Sequence, residues 1–254
     1  MKGNRFGGLH IRHLKNAPIT EAIIDVRVKA RANFRAEEFA ALRPQLSNQF
    51  PKMEEQRGKE ALLQLVAKET KPPIIQDLGL RGLFFKTADE KSIAQFRIDG
   101  FTFNRLKPYT SWEEIFPLAM ELWERYRRLA EPEAVTRLAV RYINPIPLIP
   151  STGDFAEYLR AAPVIPPELP QHVSRFVSRI TIHDPDTHLA ANIGQVLEVK
   201  ADKSITLILD IDAYREVSLD SADPVMGAIF EDLRVFKNKI FFSSITEQAL
   251  RRFE

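Results

Sequence analysis

The chain contains no cysteine, which excludes disulfides, thiolate nucleophiles and cysteine-held zinc or iron–sulfur centres. Such a composition suits a reducing cytoplasm, the expected location. No apolar run approaches the roughly 18 residues that a membrane span needs, so no membrane partner is expected. Neither sign of charge prevails: 36 Lys and Arg face 34 Asp and Glu, a net +2. Bulk charge therefore does not draw the chain to nucleic acid or to lipid. Glycine-built phosphate cradles are missing, both Gly-x-x-x-x-Gly-Lys and Gly-x-Gly-x-x-Gly, as is the Gly-x-Ser-x-Gly elbow of serine hydrolases. No cofactor is expected, and no complete catalytic constellation is visible. The basic opening MKGNRFGGLHIRHLK has no apolar h-region and reads as an arm over residues 1–17, not as a secretory signal. What remains is 254 residues, 44% hydrophobic and 28% charged, the balance of a globular chain long enough for a large core.

The most informative stretch is IAQFRIDGFTFNRLKPYTSW, Ile93 to Trp112. Asp99-Gly100 suits a two-residue hairpin turn. Such a turn sets Ile98 opposite Phe101 and Phe96 opposite Phe103 on one apolar face. Gln95, Arg97, Thr102 and Asn104 then share the polar face. Upstream, Pro18 to Ala30 alternates around Ile24, Val26 and Val28 and reads as a strand. Arg35 to Phe50 places Phe39, Leu42 and Leu46 at helical spacing, with Pro44 set to kink or shorten the helix. Ala61 to Lys68 leans to strand, and Leu83 to Thr87 is a strand. Ser111 and Glu114 form a capping box for a helix whose stripe is Ile115, Ala119, Leu122, Tyr126 and Leu129.

The second half repeats the order of elements. Strands are predicted at Val135 to Leu148, Phe176 to Ile182, Leu189 to Val199 and Ile205 to Tyr214. Asp154 to Ala161 reads as a short helix. Asp223-Pro224 opens a long helix buried through Ile229, Leu233, Phe236 and Ile240, and Ser244-Ile-Thr-Glu247 caps a last short one. The expected fold is α+β: two units, 18–132 and 133–254, each strand, helix, antiparallel strands, long helix. Together they would form one curved sheet with helices on one face, a pseudo-two-fold arrangement similar to TATA-binding-protein-like folds.

Candidate sites each compete with a structural account. His183-Asp-Pro-Asp-Thr-His188 offers two imidazoles and two carboxylates to a divalent metal. Asp-Pro-Asp-Thr is equally an ordinary turn between strands, and no metal is expected there. His10 and His13, with Arg12 and Lys15, belong to the basic arm, and His172 has no companion. Asp210 and Asp212 alternate along one strand. Arg125, Arg127 and Arg128 complement a helix dipole. The favoured set is Asn104, Arg105, Tyr109 and Trp112 after the hairpin, with Arg137, Arg141, Tyr142 and Asn144 in the next strand. Neighbouring strands would bring these arginines and aromatics together, a composition that suits protein anchors and stacked nucleotides.

Five segments carry a resemblance: NAPITEAIIDVRV (Asn16 to Val28), DLGLRGLFF (Asp77 to Phe85), QFRIDGFTFNRLKPYTSWEE (Gln95 to Glu114), RLAVRYINPI (Arg137 to Ile146) and KIFFSSITEQAL (Lys239 to Leu250). In this order they resemble a sporadically distributed prokaryotic family of similar length and uncharacterised function. The resemblance implies one full-length domain and, from the patchy distribution, carriage near defence-related genes. Its motif positions here include Phe103, Arg105, Tyr109, Trp112, Arg141, Tyr142 and Asn144. It supplies no catalytic residue. The expected function is a non-catalytic binding protein, immunity- or antitoxin-like or part of an anti-phage defence, whose partner is another protein encoded nearby. Two alternatives stand beside it: a nucleic-acid or nucleotide binder using Arg97, Arg105, Arg137 and Arg141 on one sheet face, and a metal-dependent hydrolase at the His183 to His188 loop. A homo-oligomer is compatible with any of these.

Overall fold

The computed structural model describes residues 12, 14–62, 65–66, 69–70, 74–148, 155–161, 163–171, 173, 175–199 and 204–254. Strand β1 (Glu21–Lys29) buries Ala22, Ile24, Val26 and Val28 on one side, as its alternation predicts. The helix expected over 35–50 is instead a 3-10 turn, Ala36–Leu42, followed by the single turn α1 (Arg43–Leu46). Pro44 is the cause: lacking an N–H, it is tolerated only in a first turn, so a new helix starts around it. Phe39, Leu42, Leu46 and Phe50 are buried all the same.

Strand β2 (Lys52–Leu62) leaves no mark in the sequence pattern, because KMEEQRGKEAL carries charges at almost every other place. It lies at the edge of the sheet, where charged side chains discourage further strand pairing. The two-residue strands β3 (Leu65–Val66) and β4 (Glu69–Thr70) pair with each other. A meander follows through β5 (Ile74–Lys86), β6 (Ser92–Arg97) and β7 (Gly100–Leu106). The expected hairpin register needs correction. Phe96 faces Phe101 and Ala94 faces Phe103, so the turn is Ile98-Asp99 and Gly100 already belongs to the strand. Gly100 is used for proximity: a Cβ there would run into the Val26 carbonyl oxygen of β1.

Helix α2 (Trp112–Ala130) starts where predicted, with the Ser111 hydroxyl accepting from the Glu114 N–H at 3.3 Å. Strand β8 (Ala134–Leu148) follows. The short helix expected at Asp154 to Ala161 is a 3-10 turn over Phe155–Glu157. Strands β9 (Val177–Asp184), β10 (Leu189–Val199) and β11 (Ile205–Leu219) form a second meander, and α3 (Val225–Ser244) returns over it. The last helix, α4 (Glu247–Leu250), is capped by Thr246, whose hydroxyl accepts from the Ala249 N–H at 3.2 Å. Ser244 is not the cap; its hydroxyl donates to the Ile240 carbonyl inside α3.

The molecule is α+β with one antiparallel sheet of nine strands, in the order β2-β5-β6-β7-β1-β8-β11-β10-β9. Helix α2 packs on β6 and β7, and α3 on β8, β10 and β11. With the core on that side, the opposite face carries the polar rows of β1, β7 and β8 and, towards β9, an apolar row of Pro145, Ile208, Val196 and Val177. Beneath α2, Tyr126 stacks on Phe39 at 5.5 Å and on Trp123 at 5.2 Å, and meets Phe96 and Phe101. Its hydroxyl donates to the Arg97 carbonyl at 2.9 Å, so the polar tip of a buried ring finds an acceptor. Each such ring contributes about 1.5–3 kcal/mol by burial. No helix among the described residues is long and apolar enough to cross a membrane.

Candidate functional site

The favoured residues do not form one cluster. Strand β1 lies between β7 and β8, so the strands expected to adjoin are separated. The two-residue period of β8 then divides its own residues: Arg137 and Arg141 point to the uncovered face, Tyr142 and Asn144 to the helix side. Arg105 also departs from expectation. It shares the side of Phe101 and Phe103, and its guanidinium donates to the Ser92 hydroxyl at 2.9 Å, so it does not join Arg97, Arg137 and Arg141.

On the uncovered face, polar side chains interlock across seven neighbouring strands, from β6 to β9. Asp25 is the hub and is 8% exposed. It accepts from the Thr102 hydroxyl (2.6 Å), Arg27 (3.1 Å), Arg97 (3.2 Å) and Arg137 (3.4 Å). Arg137 also reaches both oxygens of Asp212 at 2.9 Å and stacks on Tyr214, 4.5 Å from its centroid. Asp212 accepts from Asn192, whose amide oxygen accepts from Thr181. Whereas Arg137 shares one nitrogen between the two oxygens of Asp212, Arg141 makes a true two-point pair with Asp210, through Nε at 2.8 Å and a terminal nitrogen at 2.5 Å. That hydrogen bond above all, against partial desolvation, raises the affinity of the Arg141 guanidinium for its proton. Asn104 donates to Glu21 at 2.6 Å and accepts from Gln95 at 2.8 Å. Planar guanidinium–carboxylate forks hold both partners in fixed orientation. Of the arginines read as a possible phosphate track, Arg97, Arg137 and Arg141 are matched by aspartates, so this part of the face is electrically balanced, while Arg105 lies on the other side against Ser92.

Tyr109, Trp112, Tyr142 and Asn144 come together on the other side. They line a cavity of about 520 Å³ bounded by Arg12, the segment from Leu14 to Ile19, the β7–α2 connection and the last turns of α3. The Tyr109 and Tyr142 hydroxyls are 3.4 Å apart, and their rings meet edge to face. Burial pushes both phenols above their ordinary titration range. Asn144 is anchored by its amide N–H groups, which donate to the Tyr142 and Leu209 carbonyls. Trp112 stacks on Phe116 at 4.6 Å, and Arg234 lies over it at 5.7 Å while bonded to Glu113 at 2.8 Å.

Lys237 completes this wall and escaped the sequence reading. Its Nζ is 3.6 Å from the Tyr142 ring centroid. Burial, and then the nearby Arg234 charge, push its pKa down to about 7. Its signal was present: Lys237 stands four residues after Leu233, on the stripe that α3 buries. Asp25 gave no such signal, because it alternates away from Ile24 and Val26 onto the face it shares with Arg27, where its burial depends on Thr102, Arg97 and Arg137 from other strands.

The His183 to His188 loop is the turn between β9 and β10. Asp184 accepts the Asp186 N–H at 3.1 Å, and His188 takes a positive φ of 57°. Among the described residues no three His, Asp or Glu side chains group closely enough to hold a metal. Asp210 and Asp212 face arginines, and Arg125, Arg127 and Arg128 pair with Glu121 and Glu124 on their own helix. His10, His13 and His172 lie outside the described residues. Compared with known proteins, the chain matches no family model, and no curated protein matches it either.

Proposed function

We propose that the chain is a non-catalytic binding protein that grips a protein partner with the uncovered face of its sheet. The observation that carries this is the fixed arginine–aspartate pairing, Arg141 by a two-point fork to Asp210 and Arg137 by one nitrogen shared between both oxygens of Asp212, on a face that no described helix covers. Side chains already fixed by their neighbours lose little freedom on docking, which favours association. Arginine and tyrosine are the residues interfaces use most as anchors, and Arg141 with Tyr214 supplies both. Matched charges favour a partner with its own mixed surface over a nucleic-acid backbone, which calls for unneutralised cations. The fold is read as two like-built halves. Strands β1 and β8 open them and adjoin at the centre of the sheet, and α2 and α3 close them; the TATA-binding-protein-like platform is the parallel. The motif likeness to a patchily distributed prokaryotic family points to an immunity or accessory role beside a neighbouring gene product.

The test is co-purification of the tagged chain with its neighbouring gene product, for wild type and Arg141→Glu. Because Arg141 pairs with Asp210, circular dichroism first checks that the variant is folded, with Arg141→Gln as the milder substitution; a complex kept by wild type and lost by the folded variant supports the proposal. No stable complex, or one indifferent to Arg141→Glu, removes it. Titration with DNA and RNA at two salt concentrations covers the rival reading, which requires binding that weakens steeply with salt.

A further inference from the structure

Lys237 is 8% exposed, and among the described residues no carboxylate, carbonyl or hydroxyl bonds to its Nζ. Its neighbours are the Tyr142 ring and, one turn earlier on α3, Arg234. Arg234 is itself engaged, by Glu113 at 2.8 Å and Glu231 at 3.4 Å. A buried ammonium without a counter-ion is among the costliest arrangements a fold can hold. Here it opens onto space of about 520 Å³, within the range of pockets that enclose small molecules. The rest of the lining sets the rings of Tyr109, Trp112, Phe241 and Phe242 among polar and aliphatic side chains.

We infer that this cavity is a binding site for a small aromatic carboxylate, the carboxylate meeting Lys237 and the ring lying among Tyr109, Trp112 and Phe241. Of the cations lining the cavity Lys237 alone is buried, Arg12, Lys15 and Lys107 being exposed at its rim, so a single negative charge matches the interior. A phosphate dianion would leave surplus charge in an aromatic enclosure, since the adjacent guanidinium is already bound to two glutamates. The ring is called for by the walls, which offer faces and edges for stacking. Glu113 is the one acid lining the cavity among the described residues, and it is tied to Arg234.

Binding is coupled to a proton. The charged and titratable groups lining the cavity with Lys237 are the cations Arg12, Lys15, Lys107 and Arg234, the carboxylate of Glu113, and the phenols of Tyr109 and Tyr142, which burial keeps neutral. Lys237, its pKa pushed down to about 7 by burial, changes charge near neutrality. A bound carboxylate favours its charged form, so above neutrality the complex takes up a proton, and affinity falls about tenfold per pH unit. The site lies on the helix side of the sheet, so its fate is independent of the partner-binding face.

Isothermal titration calorimetry of the full chain with phenylacetate, near about pH 6 and about pH 8.5, tests this. Phenylethanol serves as the neutral counterpart and inorganic phosphate as the anion without a ring. The expected result is phenylacetate binding that is at least about tenfold tighter at the lower pH, proton uptake at the higher pH, and binding at least about tenfold weaker in Lys237→Met. No phenylacetate binding, equal binding of phenylethanol, tighter binding of phosphate, or unchanged binding by Lys237→Met would overturn it. The wild-type pH series decides by itself if the variant does not fold.

Discussion

At the residue scale the most informative position is Lys237, where burial and function pull in opposite directions. Its folded-state pKa of about 7 lies below the 10.5 of an unhindered lysine. Between those values the unfolded chain holds the proton and the folded chain does not, so stability rises with pH across that window. Below about 7 both states are charged and the full burial penalty applies. Lys237→Met is therefore expected to be more stable than wild type near neutral and acidic pH, by on the order of a few kcal/mol. The difference should shrink as pH climbs towards 10.5. Urea denaturation of both proteins over that range checks it, and a variant less stable than wild type at pH 6 would refute the buried, uncompensated charge. The residue was legible as a lysine on an apolar stripe. Its lack of a partner was not, because that depends on Tyr142 and Tyr109 arriving from elsewhere in the chain.

At the scale of elements, local chemistry decided much. Ser111 starts α2 and Pro44 confines α1 because caps and prolines act on their immediate neighbours. The β6–β7 hairpin shows where that reach ends. Asp99-Gly100 has the composition of a tight turn, yet the glycine serves the approach of β7 to β1, and the turn forms one residue earlier. A local pattern cannot anticipate this, since Val26 lies far away in sequence. Gly100→Ala is expected to destabilise the protein by on the order of 1–3 kcal/mol, through displacement of β7 from β1. Hydrogen exchange should show the loss of protection concentrated in Val26, Arg27 and the facing residues of β7; uniform protection with unchanged stability would refute the close approach.

At the scale of the molecule, the central strands β1 and β8 pair along their length, from Glu21 opposite Ile143 to Lys29 opposite Ala134. The polar lattice of the uncovered face crosses the same seam through Asp25, Arg137 and Asp212. Neither meander can lose this seam without exposing an unpaired strand edge and an unmatched charge. Unfolding is therefore expected to be a single cooperative transition. Trp123 packs on Phe101 and Tyr126 of the first half, so in a Trp112→Phe background its fluorescence follows one side of the seam, while far-ultraviolet circular dichroism follows the whole sheet. The two midpoints should coincide in urea; separated midpoints would mean that the meanders unfold independently.

The sequence alone determined the α+β class, most strands, both long helices and the identity of the buried row in each, because burial follows a period of two or 3.6 that any short window displays. It also singled out Arg137, Arg141, Tyr142 and Asn144 as one candidate set. Only the tertiary structure decided what they do together. Placing β1 between β7 and β8 sent Arg137 and Arg141 to one side and Tyr142 and Asn144 to the other, matched the arginines with aspartates from distant strands, and enclosed Lys237 among aromatic rings. Strand order and pairing are set by contacts between residues far apart in the chain, which no local pattern encodes.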